Sequence, residues 1–370
     1  MSVFRASVVF GTVSAFLAVH ASKGLCAGAG GLTVQEVVRA WKARQDDAKT
    51  LRFEWTQTET IMPYGLSPDF PARQLVHDVS VAVSIERGMV RHSSRGPRYS
   101  PANNECLPQW YLNVFDGVLN KSFFGYAESP DARFFPTGFL GKKEDGNVDR
   151  DNADLRAILL TYRPVHRELG GKFDDTGYTI LPRRALVDGR ECRLLVRSGN
   201  LCSSYWVDPK RAFLVLRYTA GRGEKPTYQL DIRYTRDETH GWTPAGWRSM
   251  LMHTGSDTMR FQKVAKVVKF EINGTIPPSE FQFAFPPGTR VTDENTGERY
   301  IVRDDGARRL ITAEEIRGRA TYEEMLATDS GQALSARRGR GSGLWLYCVG
   351  LVAFMLLLVL ALKRLKRART

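Results

Sequence analysis

The sequence predicts a mainly β fold with a minority of helix, held outside the cytoplasm by one C-terminal membrane span. Three observations carry this expectation. From residue 177 onward, strand-like alternation and turn residues follow one another with little helical periodicity between them. One capped amphipathic helix stands before the first strand, and an uncharged apolar stretch long enough to cross a bilayer follows the last. The 370 residues are 42% hydrophobic and 25% charged, with 33 Gly and 17 Pro; this fits one large domain or two modest ones and excludes a largely disordered or collagen-like chain.

Residues 1–29 read as a secretory signal peptide: Arg5 near the start, an apolar run from Val8 to Val19, then small residues with Ala27 and Ala29 in an A-x-A pattern. Cleavage after Ala21 is an alternative site, and an uncleaved anchor is an alternative fate. A lipoprotein reading of Cys26 is disfavoured by bulky Leu25. At the other end, residues 344–362 form an uncharged apolar run of 19 residues, roughly 28 Å as a helix, followed by a basic tail at 363–370. Five basic residues after the span outnumber Arg337, Arg338 and Arg340 before it, so the positive-inside bias places the C-terminus in the cytoplasm. The expected topology is a single-pass inner (cytoplasmic) membrane protein with its main domain, residues 30–312, in the periplasm, joined to the span by a short helix and flexible linker at 313–343.

This layout accounts for the net charge of +13. Arg5 and Lys23 supply two charges and residues 337–370 supply eight with no acid, which leaves only +3 for residues 24–336. That weak balance, without a basic run or zinc-finger spacing, excludes nucleic acid as an expected partner.

Within the domain, Thr33 and Glu36 form a capping box ahead of Val34, Val37, Val38 and Trp41, which share one helical face ending near Ala48. The period then changes to two in LRFEWTQTETI, with Leu51, Phe53 and Trp55 on one side. A second strand carries Val79, Val81, Val83 and Ile85, and another spans residues 110–114 before the Asp116-Gly117 turn. The intervening RGPRYSPANNEC reads as a loop. Phe134, Phe135 and Phe139 lie in a Gly- and Asp-rich stretch, either plugging a cavity mouth or packing beneath a loop. A short helix carries Ala153, Leu155, Ile158 and Leu159. Five or six antiparallel strands follow from residue 177, with Asp188-Gly189, Ser198-Gly199-Asn200, Asp208-Pro209 and Asp237-Glu238 at their connections. Helices are not interposed between them, which excludes a Rossmann unit. Thr312 and Glu315 cap a further acidic helix over residues 313–327.

The order of a helix, a strand beginning FEW, YWVDPKRAFLVLRY, GWTPAGW and IPPSEFQFAFPPGTRVTDENTGERYIV resembles the LolA-like family of periplasmic lipoprotein-sorting proteins, in particular divergent exported forms of planctomycete-type bacteria. The resemblance covers about residues 32–305. It implies a strongly curved antiparallel sheet, an incomplete β-barrel, whose apolar concave side is covered by helices. It also implies that Phe53, Trp55, Val81, Val83, Leu194, Val196, Trp206, Leu214, Leu216 and Leu230 face inward, either lining a ligand cavity or filling core. The implied function is a membrane-tethered module binding a lipid, lipoprotein acyl chains or a similar amphiphile. The alternative is a non-catalytic structural or sensory ectodomain of the cell envelope on the same scaffold. Implied partners are a lipid or lipoprotein, the inner membrane through the C-terminal helix, and an envelope protein. A C-terminal span and a longer domain depart from a soluble carrier and forbid free shuttling.

Catalytic chemistry does not assemble in the sequence. Histidines at 20, 77, 92, 166, 240 and 253 show neither H-E-x-x-H nor His-Cys metal spacing, and no serine sits in a G-x-S-x-G elbow. No enzyme activity, cofactor or metal is expected. Cys192 and Cys202 flank LLVRSGNL at positions compatible with facing strands on the oxidising side, so a Cys192–Cys202 disulfide is expected, with Cys106 unpaired.

Overall fold

The computed structural model describes residues 32–62, 72–100, 105–126, 135–142, 153–164, 177–197, 202–221, 226–253, 258–317 and 321–327. The expected leader, Phe134, the apolar span and the basic tail lie outside the described residues. Among the described residues no helix is long and apolar enough to cross a membrane.

Helix α1 (Val34–Asp47) starts where its capping box predicts: Thr33 Oγ1 accepts from Glu36 N at 3.3 Å, and Glu36 Oε2 accepts from Thr33 N at 2.8 Å. Its buried face is Val37, Val38 and Trp41. Two side chains clamp this helix to a turn far away in sequence. Trp41 Nε1 donates to Phe213 O at 2.7 Å and Arg44 Nη2 to Ala212 O at 2.9 Å. Ala212 and Phe213 both adopt left-handed backbone, φ +48° and +57°, which turns their carbonyls toward α1 at a conformational cost that the clamp offsets.

Among the described residues sixteen strands form one sheet: β1 (Thr50–Ile61), β2 (Arg73–Ser84), β3 (Met89–Ser100), β4 (Glu105–Phe115), β5 (Leu119–Tyr126), β6 (Thr137–Lys142), β7 (Tyr178–Val187), β8 (Arg190–Arg197), β9 (Cys202–Asp208), β10 (Leu214–Gly221), β11 (Tyr228–Asp237), β12 (Gly241–Met252), β13 (Met259–Ile272), β14 (Arg290–Asp293), β15 (Arg299–Val302) and β16 (Arg308–Leu310). Their spatial order is β16-β15-β14-β6-β5-β4-β3-β2-β1-β13-β12-β11-β10-β9-β8-β7. Neighbours are antiparallel except β14 beside β6, which is parallel. The expected mainly β, antiparallel architecture with few helices is therefore present.

The sheet is open and curved. Strands β3 and β7 stand nine places apart in the order, about 43 Å across if flat. Yet Val90 of β3 and Tyr178 of β7 belong to the same core cluster. That cluster closes around α1 and the second helix α2 (Arg156–Tyr162), whose Ala157 to Tyr162 are all buried. A helix apolar on every side is stable only when enclosed, and the curl of the sheet encloses it. The opposite face of β2 to β5 is covered by the segment after β13: Ile276 and Phe281 pack on Ala82, Leu112, Val114 and Phe123.

Three expectations are corrected. The loop read in RGPRYSPANNEC is largely ladder: β3 and β4 pair from Val90↔Phe115 to Ser100↔Glu105, with Pro97 opposite Pro108. Prolines remove donors from a ladder without forcing a turn when pairing continues on either side. The helix read over 313–327 is two short helices, α3 (Ala313–Arg317) and α4 (Tyr322–Ala327). Each begins with its own Thr-x-x-Glu box, Thr312 with Glu315 and Thr321 with Glu324. Lastly, the expected Cys192–Cys202 disulfide does not fit the register. Arg193 faces Val207 and Arg197 faces Ser203, which sets the two cysteines at opposite ends of the β8–β9 hairpin, about 20 Å apart along the strands. Cys192 is a free, buried thiol, and burial pushes its pKa up to about 11.

Candidate functional site

Along β1 the side chains on the concave face are Leu51, Phe53, Trp55, Gln57, Glu59 and Ile61. The first three are 0%, 0% and 2% exposed. They meet Val79, Val81 and Val83 of β2 on one side, Ala265 of β13 and Trp247 of β12 on the other, and α2 from above. Phe53 contacts the Tyr162 ring at 6.0 Å, and Trp55 meets Trp247 edge-on at 5.1 Å. Trp41 closes the far side against Tyr178 and Tyr205. This end of the concave face is filled.

Only part of the inward set is brought together here. Phe53, Trp55, Val81, Val83 and Leu230 lie in this cluster. Trp206 and Leu216 pack on the reverse face with Val187 and Cys192. In β8 the core position belongs to Leu195; its neighbours Leu194 and Val196 are half-buried on the other side, opposite Trp206 and Ser204. Leu214 is buried opposite Asp208, outside the central cluster. The physical reason is parity. A one-residue shift exchanges the faces of a strand, and β10 carries a bulge between Val215 and Arg217 that reverses the count midway. Among the Phe residues of the middle stretch, Phe135 stacks on Tyr322 at 4.9 Å, and Phe139 is 37% exposed beside Phe124.

The other end of the same face is open and polar. A cavity of about 390 Å³ is lined by Gln57, Glu59, His77, His92, Ser94, Gly96, Gln109, Tyr111, Phe124, Asp154 and Lys263. The register explains their convergence: Gln57 faces His77, Glu59 faces Lys263, Ser94 faces Tyr111, Gly96 faces Gln109 and Tyr111 faces Phe124. Asp154 enters from the 3-10 turn that leads into α2 (Ala153–Leu155). A Cβ at Gly96 would lie 2.5 Å from His77 Nδ1, so the missing side chain is what lets the imidazole lie against β3.

Lys263 Nζ donates to Asp154 Oδ1 at 2.9 Å, with both side chains about one-fifth exposed. Burial pushes the Lys263 ammonium down, but Asp154 and Glu59 outweigh it and hold it above its ordinary value. Burial likewise pushes Asp154 up, and the charge of Lys263, with His92 and His77 behind it, brings it below the usual carboxylate range. His77 goes the other way: burial lowers its pKa despite Glu59, whose Oε2 lies 3.9 Å from His77 Nε2. The ring is neutral at neutral pH. His92 stacks on Trp55 at 6.4 Å and meets Tyr111 edge-on at 5.5 Å. Among the described residues no group of three or more His, Cys, Asp and Glu is placed to hold a metal.

Sequence reasoning missed this pocket. The available signal was the alternation itself: the inward series of β1 passes through Gln57 and Glu59 after Trp55, and the inward series of β2 carries His77 between Leu75 and Val79. Polar residues at core positions of a strand require an explanation that hydrophobic patterning does not supply.

No protein-family model and no curated protein matches the chain. Among solved structures it is similar to a LolA superfamily protein from Nitrosomonas europaea, at 10% identity and a TM-score of 0.34 over 68% of this chain and 99% of that one. It is also similar to a beta-barrel-like protein of a domain of unknown function from Brucella abortus, at 12% identity and a TM-score of 0.24 over 61% and 99%. A third likeness is to PNGF-II, at 8% identity and a TM-score of 0.16 over 67% and 32%.

Proposed function

We propose that the chain is a membrane-tethered, extracytoplasmic, non-catalytic module that binds an amphiphile on the concave face of its sheet. One observation carries this reading: within a single strand, that face passes from the wholly apolar Phe53 and Trp55 to the polar, open pocket at Gln57 and Glu59. An acyl chain and a polar head have the same division. The tail replaces the side chains of α2 against the sheet while the head occupies the pocket. α2 is the natural element to yield, because it is a seven-residue helix whose place depends on packing and not on intrinsic helical stability. The leader at 1–29 and the span at 344–362 supply the address and the tether in this reading.

A second reading has an observation of its own. Phe53, Trp55, Val81, Val83 and Leu230 are 0–2% exposed beneath α1 and α2, as in a core that is permanently shut. On that account the domain is a structural or sensory ectodomain. The two are separated by producing residues 30–340, identifying copurified lipid by mass spectrometry and titrating a fluorescent fatty-acid probe. Saturable uptake supports the amphiphile module; no bound amphiphile together with no saturable uptake overturns it in favour of the shut core.

A further inference from the structure

The charges around the open pocket do not balance. Asp154 has Lys263 at 2.9 Å, whereas Glu59 has as its nearest basic nitrogen His77 Nε2 at 3.9 Å, beyond hydrogen-bond reach. Lys263, opposite Glu59 in the β1–β13 register, is already bonded to Asp154. With a neutral His77, Glu59 and Asp154 share the one ammonium of Lys263, so among the described residues that line the pocket its carboxylates outnumber its ammonium groups. An anionic ligand is disfavoured by that excess. A cation is favoured by it, and also by the aromatic rings of Tyr111 and Phe124, which line the pocket with their centroids 4.9 Å apart. The same pocket contains a second unmet group: Gln109 Nε2 is buried with no acceptor among the described residues. A buried donor without a partner costs free energy that a ligand oxygen recovers.

We propose that this pocket binds a small organic ammonium that also carries a hydrogen-bond-accepting oxygen, the chemistry of ethanolamine, with the ammonium at Glu59 and the oxygen at Gln109. The inference names the head group of the amphiphile and rests on that reading only where the ammonium is borne by a lipid. It also fixes a pH dependence. The charged groups that act on His77 are Glu59, Lys263 and Asp154 within the pocket and Asp78 on the other face of the strand, with His92 lining the same pocket. Once the pH falls below the lowered His77 pKa, itself under the ordinary value near 6.5, a protonated His77 becomes the cation beside Glu59 and competes with the ligand.

The test uses the full chain in phosphatidylglycerol nanodiscs, with tryptophan fluorescence as readout because Trp55 stacks on the pocket residue His92. Ethanolamine is titrated beside ethylene glycol, its uncharged analogue, and dihexanoyl phosphatidylethanolamine beside dihexanoyl phosphatidylglycerol. The expected result is saturable ethanolamine binding near pH 8, about tenfold weaker for the glycol and for E59Q, and progressively weaker for wild type as acid protonates His77. A melting curve confirms that E59Q is folded, and the glycol and pH comparisons need no variant. Equal affinity for the glycol, or no binding of either ammonium probe, overturns the site. If both lipids bind equally while ethanolamine does not, the ammonium site falls and the amphiphile module stands. If ethanolamine binds in a Glu59-dependent way and neither lipid binds, the ammonium site stands and the amphiphile module falls. Preference for the phosphatidylethanolamine over the phosphatidylglycerol supports both.

Discussion

Phe53 and Trp55 lie on the same face of the same strand as Gln57 and Glu59, pair with the same two neighbours, and differ in what stands above them. Over the first pair α2 supplies Ile158, Leu159 and Tyr162. Beside the second there is open space bordered by Lys263 and Asp154. Strand geometry thus sets direction alone. The cover decides whether a concave sheet becomes core or site, and a seven-residue helix is a small cover for so wide a face.

The sharpest way to break this comparison is to empty the closed end. F53A removes a fully buried ring that touches Tyr162 and Phe270, and its expected cost is about 3–5 kcal/mol of unfolding free energy in urea titration. A cost under about 1 kcal/mol would mean that this end is as adaptable as the open one. Next in size is K263M at the open end. It leaves Asp154 without its ammonium, and the expected loss is about 2 kcal/mol, below the usual range for a buried pair because both side chains retain some contact with water. Adding D154L should recover most of that loss. Failure to recover would mean that the two groups stabilise the fold through other contacts.

These two substitutions also mark what was legible in the sequence. The alternation around Phe53 is unmistakable because Arg52 and Glu54 flank it, so one face is polar and the period stands out. In β8 the run Leu194, Leu195, Val196 is apolar on both faces, and nothing local says that Leu195 alone reaches the core. The bulge in β10 is equally silent, since it inserts a residue without a Gly or Pro to announce it. The pairing of Lys263 with Asp154 crosses 109 residues and depends on where a 3-10 turn docks. Such convergence is a property of tertiary packing. The capping boxes at Thr33 and Thr312 are its opposite: they are closed within four residues and sequence spacing alone locates them, whereas the box at Thr321, of the same spacing, lies inside what reads as one continuous helix.

A smaller effect separates the two ends by pH. His77 is held below its ordinary pKa by burial, whereas the unfolded chain keeps the ordinary value near 6.5. As pH falls through that value the unfolded state takes up the proton first, so stability is lost on the acid side and is fully present above it. In the wild type, unfolding free energy should decline as the pH falls from about 6.5 toward the lowered His77 pKa, and H77Q should flatten that decline. An unchanged slope in H77Q would place the responsible proton elsewhere. Asp154 adds a loss at lower pH still, because its folded pKa is depressed and its stabilising charge disappears only in stronger acid.

The smallest expected effect is also a control on the argument from charge. Arg184 Nη1 and Glu191 Oε1 are 2.5 Å apart across β7 and β8, closer than Lys263 and Asp154 at 2.9 Å. Distance alone would rank the first pair higher. Its side chains, however, are 60% and 49% exposed, against 20% and 18% for the second. Water and salt screen a charge in that position whether or not it has a partner, and holding two long side chains together costs entropy. R184A is therefore expected to change unfolding free energy by less than about 0.5 kcal/mol, and the remainder should vanish on raising the salt. A loss comparable with that of K263M would show that proximity outweighs cover, which is the reverse of what the two ends of β1 teach.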